Sequence, residues 1–259
     1  MKTIGLQELR FSFRQCGVEE GDLLFVHSAF GSIGKVQGGA EAVIDVLMEI
    51  LGPQGLLAMP AMTSPFDPFD PLTSKSNVGL LSETLRNTKG AVRSLFPVHS
   101  VVALGHKAEE FCSDHDKCTS GCGAGSPFYK LWQWNGKVLL LGVDQDRNTI
   151  LHAFEHESKA SYFMSLEIPA PLYPPYNGNG VFQLVDFPEG HRNFINITAD
   201  LRENGLIRYG KVGNAVTQLM NAKELHDFCM MKLSEDPYYF LCKNPNCDFC
   251  SRARKGEKM

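Results

Sequence analysis

The segment Leu23–His27 (LLFVH) constrains the fold most. It is apolar until its last residue and too short for a buried helix, as in a strand covered on both faces. A loop rich in Gly and Ser follows, Ser28–Gly38 (SAFGSIGKVQG). From Gly39 onward, Val43, Val46, Leu47, Ile50 and Leu51 recur at helical spacing. Gly52-Pro53 stops that helix, and Leu56–Met59 is a second short apolar run. Strand, loop, helix and strand in that order predict a sheet layered with helices, the α/β class.

The rest of the chain continues the alternation. Residues 60–77 hold four prolines and no apolar period, which predicts a long loop of the kind that often serves function. Val78–Thr88 reads as a short helix, Val101–Leu104 and Val138–Val143 as strands, and Thr149–Ala160 as a helix. Residues 169–180, with four prolines and two glycines, read as a loop, and Val181–Phe187 as a strand. Lys211–Asp236 reads as a helix, with Asn221 and Glu224 at capping-box spacing.

Composition narrows the partners. The chain has 259 residues, 43% hydrophobic and 21% charged, enough to bury a sizeable core. Its net charge of −4 provides no basic field, which argues against nucleic acid and opposes no cationic small molecule. No apolar run approaches the ~20 residues of a spanning helix. The N-terminus also lacks a signal peptide's apolar stretch, so no membrane association and a cytoplasmic location are expected. The eight cysteines are then thiols or metal ligands rather than disulfides.

Four constellations carry candidate chemistry. The first is Asn148–His156, directly after the strand and the polar turn Asp144–Arg147. His152, Glu155 and His156 fall at i, i+3 and i+4, on one helix face. A carboxylate beside an imidazole fixes its tautomer and raises its basicity, suiting His152 and Glu155 to general-base work. The same residues spell His-x-x-Glu-His, which suggests a zinc hydrolase with His152 and His156 as ligands and Glu155 as base. Glu224 or Glu235 would be its third ligand. A solvated helix face is the plain alternative.

The second is the loop Ser28–Gly38, whose glycines permit close backbone approach and whose following helix favours anions. It is neither a Walker loop nor a dinucleotide fingerprint, and an ordinary strand-to-helix turn explains it equally well. The third is Arg93–Ser100, a cation, hydroxyls and an imidazole around a proline turn, best read as a turn with satisfied polar groups. The fourth is Cys242-x4-Cys247-x2-Cys250. Thiolates at this spacing suit a structural zinc, but a fourth ligand is needed. His226, Cys229 or the group Cys112, Cys118 and Cys122 would supply it; otherwise these are free thiols in a tail.

The motifs HSAFGSIGKVQGG, GLLSETLR, VRSLFPVHSVVALG, SPFYKL, KVLLLGV, NTILHAFEH and YGKVGNAVTQLM occur in that order. Together, from about Leu9 to Leu241, they resemble the aminoglycoside 3-N-acetyltransferase family. The resemblance implies one α/β domain over residues 1–241, a central mixed sheet flanked by helices, with residues 242–259 a Cys-containing tail. It implies acetyl-CoA as donor, a small-molecule amine as acceptor and a homodimer as the assembly. By position, Ser32, Gly34, Lys35 and Val36 would meet the pantetheine and phosphates, with Ser94 and Ser100 on the same channel. His152 would be the base, Glu155 would polarise it, and Asp67 and Asp186 would meet the acceptor. Transfer would be direct, since no cysteine is placed as an acyl carrier. The chain departs from the family in two places. Phe96 stands where the family's His-Pro-x-x-Ser pattern begins, and His191 and Arg192 join Asp186 and Glu189 in a stretch that is usually acidic. The added cations keep open a biosynthetic N-acyltransferase of a less cationic amino sugar.

Overall fold

A computed structural model describes residues 3–163, 165–185 and 193–256. In chain order the chief elements are α1 (Leu6–Cys16), β1 (Leu23–Ser28), α2 (Phe30–Ile33), α3 (Gly39–Leu51), β2 (Leu56–Pro60), α4 (Leu80–Arg86), β3 (Val92–Arg93) and β4 (Val101–Gly105). Then come α5 (Ala108–Cys112), α6 (Pro127–Gln133), β5 (Lys137–Leu141), α7 (Ile150–Glu157), β6 (Ser165–Pro169) and β7 (Val181–Val185). The chain continues through α8 (Ile197–Glu203), β8 (Arg208–Val212), β9 (Ala215–Asn221), α9 (Ala222–Glu235) and α10 (Asp248–Arg254).

Seven strands form one mixed sheet in the order β3-β4-β2-β1-β5-β9-β8, and β6 pairs with β7 separately. The central strands β2, β1 and β5 are parallel, and the flanking pairs are antiparallel. Side chains along β1 alternate between two cores. Leu24 and Val26 face a cluster that includes residues of α1, α3 and α4. Phe25 faces the opposite cluster, which includes residues of α5, α6, α7 and α9. Both faces are covered, which is why these strands read as continuous apolar runs.

The segment expected to be one helix over Lys211–Asp236 is instead β8's end, β9 and α9. Gly213-Asn214 closes a two-residue hairpin, with Gly213 at φ 59° and Val212 paired with Ala215. Val212, Val216 and Thr217 are β-branched and fit the pleated surface better than a helix. The helix starts where Asn221 accepts the backbone N–H groups of Lys223 and Glu224, at 2.8 and 3.1 Å. The expected strand from Val181 is described as far as Val185, and residues 186–192, with Asp186, lie outside the described residues.

Candidate active site

The carboxyl ends of β1, β2 and β5 open into a cleft of about 670 Å³. This is the crevice position that open α/β sheets use. Its lining includes His27, Ser28 and Ala29 from the end of β1, Pro60 and Met62 from the end of β2, and Val143 after β5. Asn148 and Thr149 come from the turn that leads into α7, and His152 from its first turn.

α7 buries Ile150, Leu151, Ala153 and Phe154, and this fixed packing sets where His152 points. The turn before it is held by a buried amide network. Asn148 Nδ2 donates to Gln145 Oε1 at 2.8 Å, Gln145 Nε2 to Gln218 Oε1 at 3.0 Å, and Gln218 Nε2 to Asp144 Oδ1 at 2.9 Å. His152, with its side chain 22% exposed, meets Glu155 with Nδ1 2.8 Å from Oε2. Glu155 is fully buried, and its Oε1 accepts from Tyr162 Oη at 2.8 Å. A buried carboxylate holding two donors cannot drift, so it fixes both the ring's orientation and its tautomer. The edge of the His152 ring lies against Phe194, with centroids 4.9 Å apart.

Two further polar groups in the lining, His27 and Asn148, and two buried outside it, His99 and Ser120, have no motif to announce them. His27 Nε2, His99 Nδ1, Ser120 Oγ and Asn148 Oδ1 are buried with no hydrogen-bond partner among the described residues. Burial lowers the imidazoles of His27 and His99 to about 3. His27 ends the buried strand read from the sequence, and its place at a parallel strand's carboxyl end was the only available signal.

The expected donor-binding residues divide. Ser32 Oγ donates to Ala29 O at 2.6 Å and packs so tightly on Gly142 that a Cβ there would lie 1.8 Å from that oxygen. Gly34 adopts φ 102°, Lys35 is exposed, and Val36 bridges Ile4 and sits in the core. None of these four lines the cleft, although their loop begins with Ser28 and Ala29, which do. Ser94 and Ser100 are buried away from it. Ser94 Oγ accepts from Val101 N and pairs with His115 Nδ1, and Ser100 Oγ donates to Ala61 O. Their hydroxyls shape the β3–β4 turn, and neither residue is in the cleft lining. Asp67 is exposed on the 60–77 loop, outside the cleft lining.

Arg93 anchors that loop. Its guanidinium donates to Ser74 O at 2.5 Å, Ala61 O at 2.7 Å, Ser100 Oγ at 3.0 Å and Pro71 O at 3.4 Å, and lies 4.9 Å from the Phe69 ring centroid. Arg93→Ala should lower stability by about 2–4 kcal/mol, because part-buried carbonyls lose their donors. Protease cutting within residues 61–77 should accelerate. Arg93→Lys should recover only part of both, since an ammonium lacks the planar fork. Urea unfolding with limited proteolysis checks this, and wild-type behaviour of Arg93→Ala would remove the anchoring role.

The hydrolase reading of His-x-x-Glu-His is corrected. Both carboxylate oxygens of Glu155 are engaged by His152 and Tyr162, so the carboxylate does not face a metal-bound water. Among the described residues, no third metal ligand joins His152 and His156. The tail cysteines do converge, with the sulfurs of Cys242, Cys247 and Cys250 within 4.8 Å of one another. The expected fourth ligands lie elsewhere. His226 bonds Glu157 and stacks on Trp132, and Cys112, Cys122 and Cys229 belong to the large core. Cys118 bonds the carbonyls of Asp114 and Ala124.

The site therefore sets a carboxylate-oriented imidazole in the wall of a cleft at the carboxyl ends of the central strands. The profile of the aminoglycoside 3-N-acetyltransferase family matches residues 25–234, and the chain belongs to this family of acyltransferases. The aminoglycoside N(3)-acetyltransferase IV of Salmonella sp is 32% identical over 234 residues, covering 87% of this chain and 85% of that protein. A histidine-to-alanine mutant of aminoglycoside acetyltransferase AAC(3)-IVa, solved in complex with a gentamicin, superposes with a TM-score of 0.89 at 29% identity. It covers 99% of this chain and 98% of that one. AAC-IIIb, solved as a binary complex with CoASH, gives 0.82 at 29% identity, covering 94% of this chain and all of the other. No helix among the described residues is long and apolar enough to cross a membrane.

Proposed function

We propose that the protein transfers the acetyl group of acetyl-CoA directly to an amino group of an aminoglycoside or related amino sugar, with His152 as general base. The observation that carries this reading is the 2.8 Å bond from His152 Nδ1 to Glu155 in the wall of the cleft. A carboxylate only accepts, so Nδ1 keeps its proton and Nε2 offers a lone pair. The acceptor amine attacks the thioester carbon, and Nε2 takes one of its protons as the C–N bond forms. The carbonyl electrons move onto oxygen, then return as the C–S bond breaks. The departing thiolate takes up a proton, and the imidazolium releases its own. Glu155 stabilises the imidazolium while it lasts.

Two further observations support the scheme. Among the described residues the cleft lining contains no cysteine, consistent with direct transfer rather than an acyl-enzyme. The cleft also has the volume of an ordinary small-molecule site. The pantetheine arm follows the 28–38 loop into the cleft, and the exposed Lys35 supplies a cation for its phosphates.

One observation favours a less cationic acceptor than a typical aminoglycoside. Among the described residues the only carboxylate in the lining, Asp146, is paired with Arg147 at 3.2 Å. The test is a thiol-release assay with acetyl-CoA against gentamicin, apramycin and single-amine amino sugars. Release with none of them, by protein that binds acetyl-CoA, defeats the acceptor assignment. Absence of acetyl-CoA binding defeats the donor assignment.

A further inference from the structure

We propose that Cys242, Cys247 and Cys250 bind a zinc ion, and that the occupied site braces His152 through Tyr162 and Glu155. The brace rests on the reading of His152 as the base; the metal site does not.

The sulfurs already lie within 4.8 Å of one another. Three thiolates about 2.3 Å from a tetrahedral zinc are about 3.8 Å apart, so only a small contraction is needed. Three thiolates and a dication leave one net negative charge. Arg254 is placed to meet it, donating to Cys242 O at 2.8 Å and to Cys250 O at 3.3 Å. An odd number of thiols cannot be satisfied by disulfides alone. The described residues supply three ligands, and water or an external donor completes the shell, with each thiol proton released to solvent on binding.

The tail's core cluster comprises Ala160, Tyr162, Leu241, Cys242, Cys250 and Ala253, and so small a core gains most from a staple. Tyr162 belongs to that cluster and is 2% exposed, and its hydroxyl holds the carboxylate that holds His152. Metal occupancy therefore fixes the ring that fixes Glu155. Tyr162 is a positioning residue.

The experiment uses the full chain. Purified protein should contain about one zinc per chain. Cobalt exchanged for the zinc should show thiolate-to-cobalt charge-transfer absorption, which Cys247→Ser should weaken. Metal-free protein, or bound cobalt without that absorption, overturns the site even if the cysteine variant fails to fold. The brace is read from the 15N shift of His152 Nδ1, which needs no activity. Removing the metal should move it toward a mixture of tautomers and lower kcat about tenfold, the effect of losing one hydrogen bond to a charged group. In Tyr162→Phe the shift should already be displaced, and metal removal should change it no further. An Nδ1 shift indifferent to metal in wild type overturns the brace. Absence of acetyl transfer with the metal-dependent shift intact defeats the acyltransferase mechanism and leaves this inference standing.

Discussion

Replacing His152 by alanine should lower kcat by about 10²–10⁴-fold, the usual contribution of a positioned general base. Acetyl-CoA affinity and the unfolding midpoint should be almost unchanged. The side chain is 22% exposed toward the cleft, so its removal leaves no tight cavity. Its partner should behave differently. Glu155 is fully buried between His152 and Tyr162, and Glu155→Gln keeps the shape while removing the charge that stabilises the imidazolium. The loss for Glu155→Gln should be smaller than for His152→Ala, and the two should not add in the double mutant, because they act as a unit. Steady-state kinetics on both variants decides. A His152→Ala enzyme keeping more than about a tenth of its rate would assign the base to another residue.

Acid should unfold this protein early. His27, His99 and His115 are buried, and burial lowers each imidazole to about 3. His99 is lowered further by the nearby His152 and His115. His115 is tied to Ser94 Oγ and Gly121 O, each at 2.8 Å, and Phe96 stacks on it 4.8 Å away. In the unfolded chain each imidazole titrates near 6.5. Below that pH the unfolded state therefore binds more protons than the folded one, and stability falls as pH falls. Each group contributes about 1.4 kcal/mol per pH unit, about 4 kcal/mol per unit for all three, against a total of roughly 5–15 kcal/mol for a typical domain. Unfolding is expected within about two pH units below 6.5. Urea melts from pH 7.5 to 4.5 measure it, and a flat unfolding free energy across that range would mean these imidazoles become charged inside the fold.

Much of this was visible in the sequence because burial on both faces leaves a plain mark. LLFVH, LLAM and VLLLGV are strands covered twice, and the apolar period of Val43–Leu51 is α3. The His152–Glu155 pair was legible because i, i+3 on a helix is contact. Tyr162, the third member, lies beyond the end of α7, where no periodicity reports spatial proximity. The backbone bonds of Ser94 and Ser100 were not legible, because a hydroxyl's residue type does not reveal whether it faces a ligand or a backbone group. The β8–β9 hairpin was hidden because its apolar residues run straight into α9, and only Gly213-Asn214 marks the reversal. The tail spacing pointed to metal chemistry, while its fourth ligand was sought among residues that the fold carries elsewhere.

The close packing of Ser32 on Gly142 also bears on how such a chain can change. It clamps the end of β5 to the loop leaving β1, so the two strand ends that frame the cleft keep one separation. The segment at residues 60–77, which brings Met62 and Asn77 to the cleft, and the segment 169–180, which is not in its lining, lie outside that clamp. Exchanging residues 60–77 for the corresponding loop of another member should alter which acceptors are taken while the imidazole stays in register.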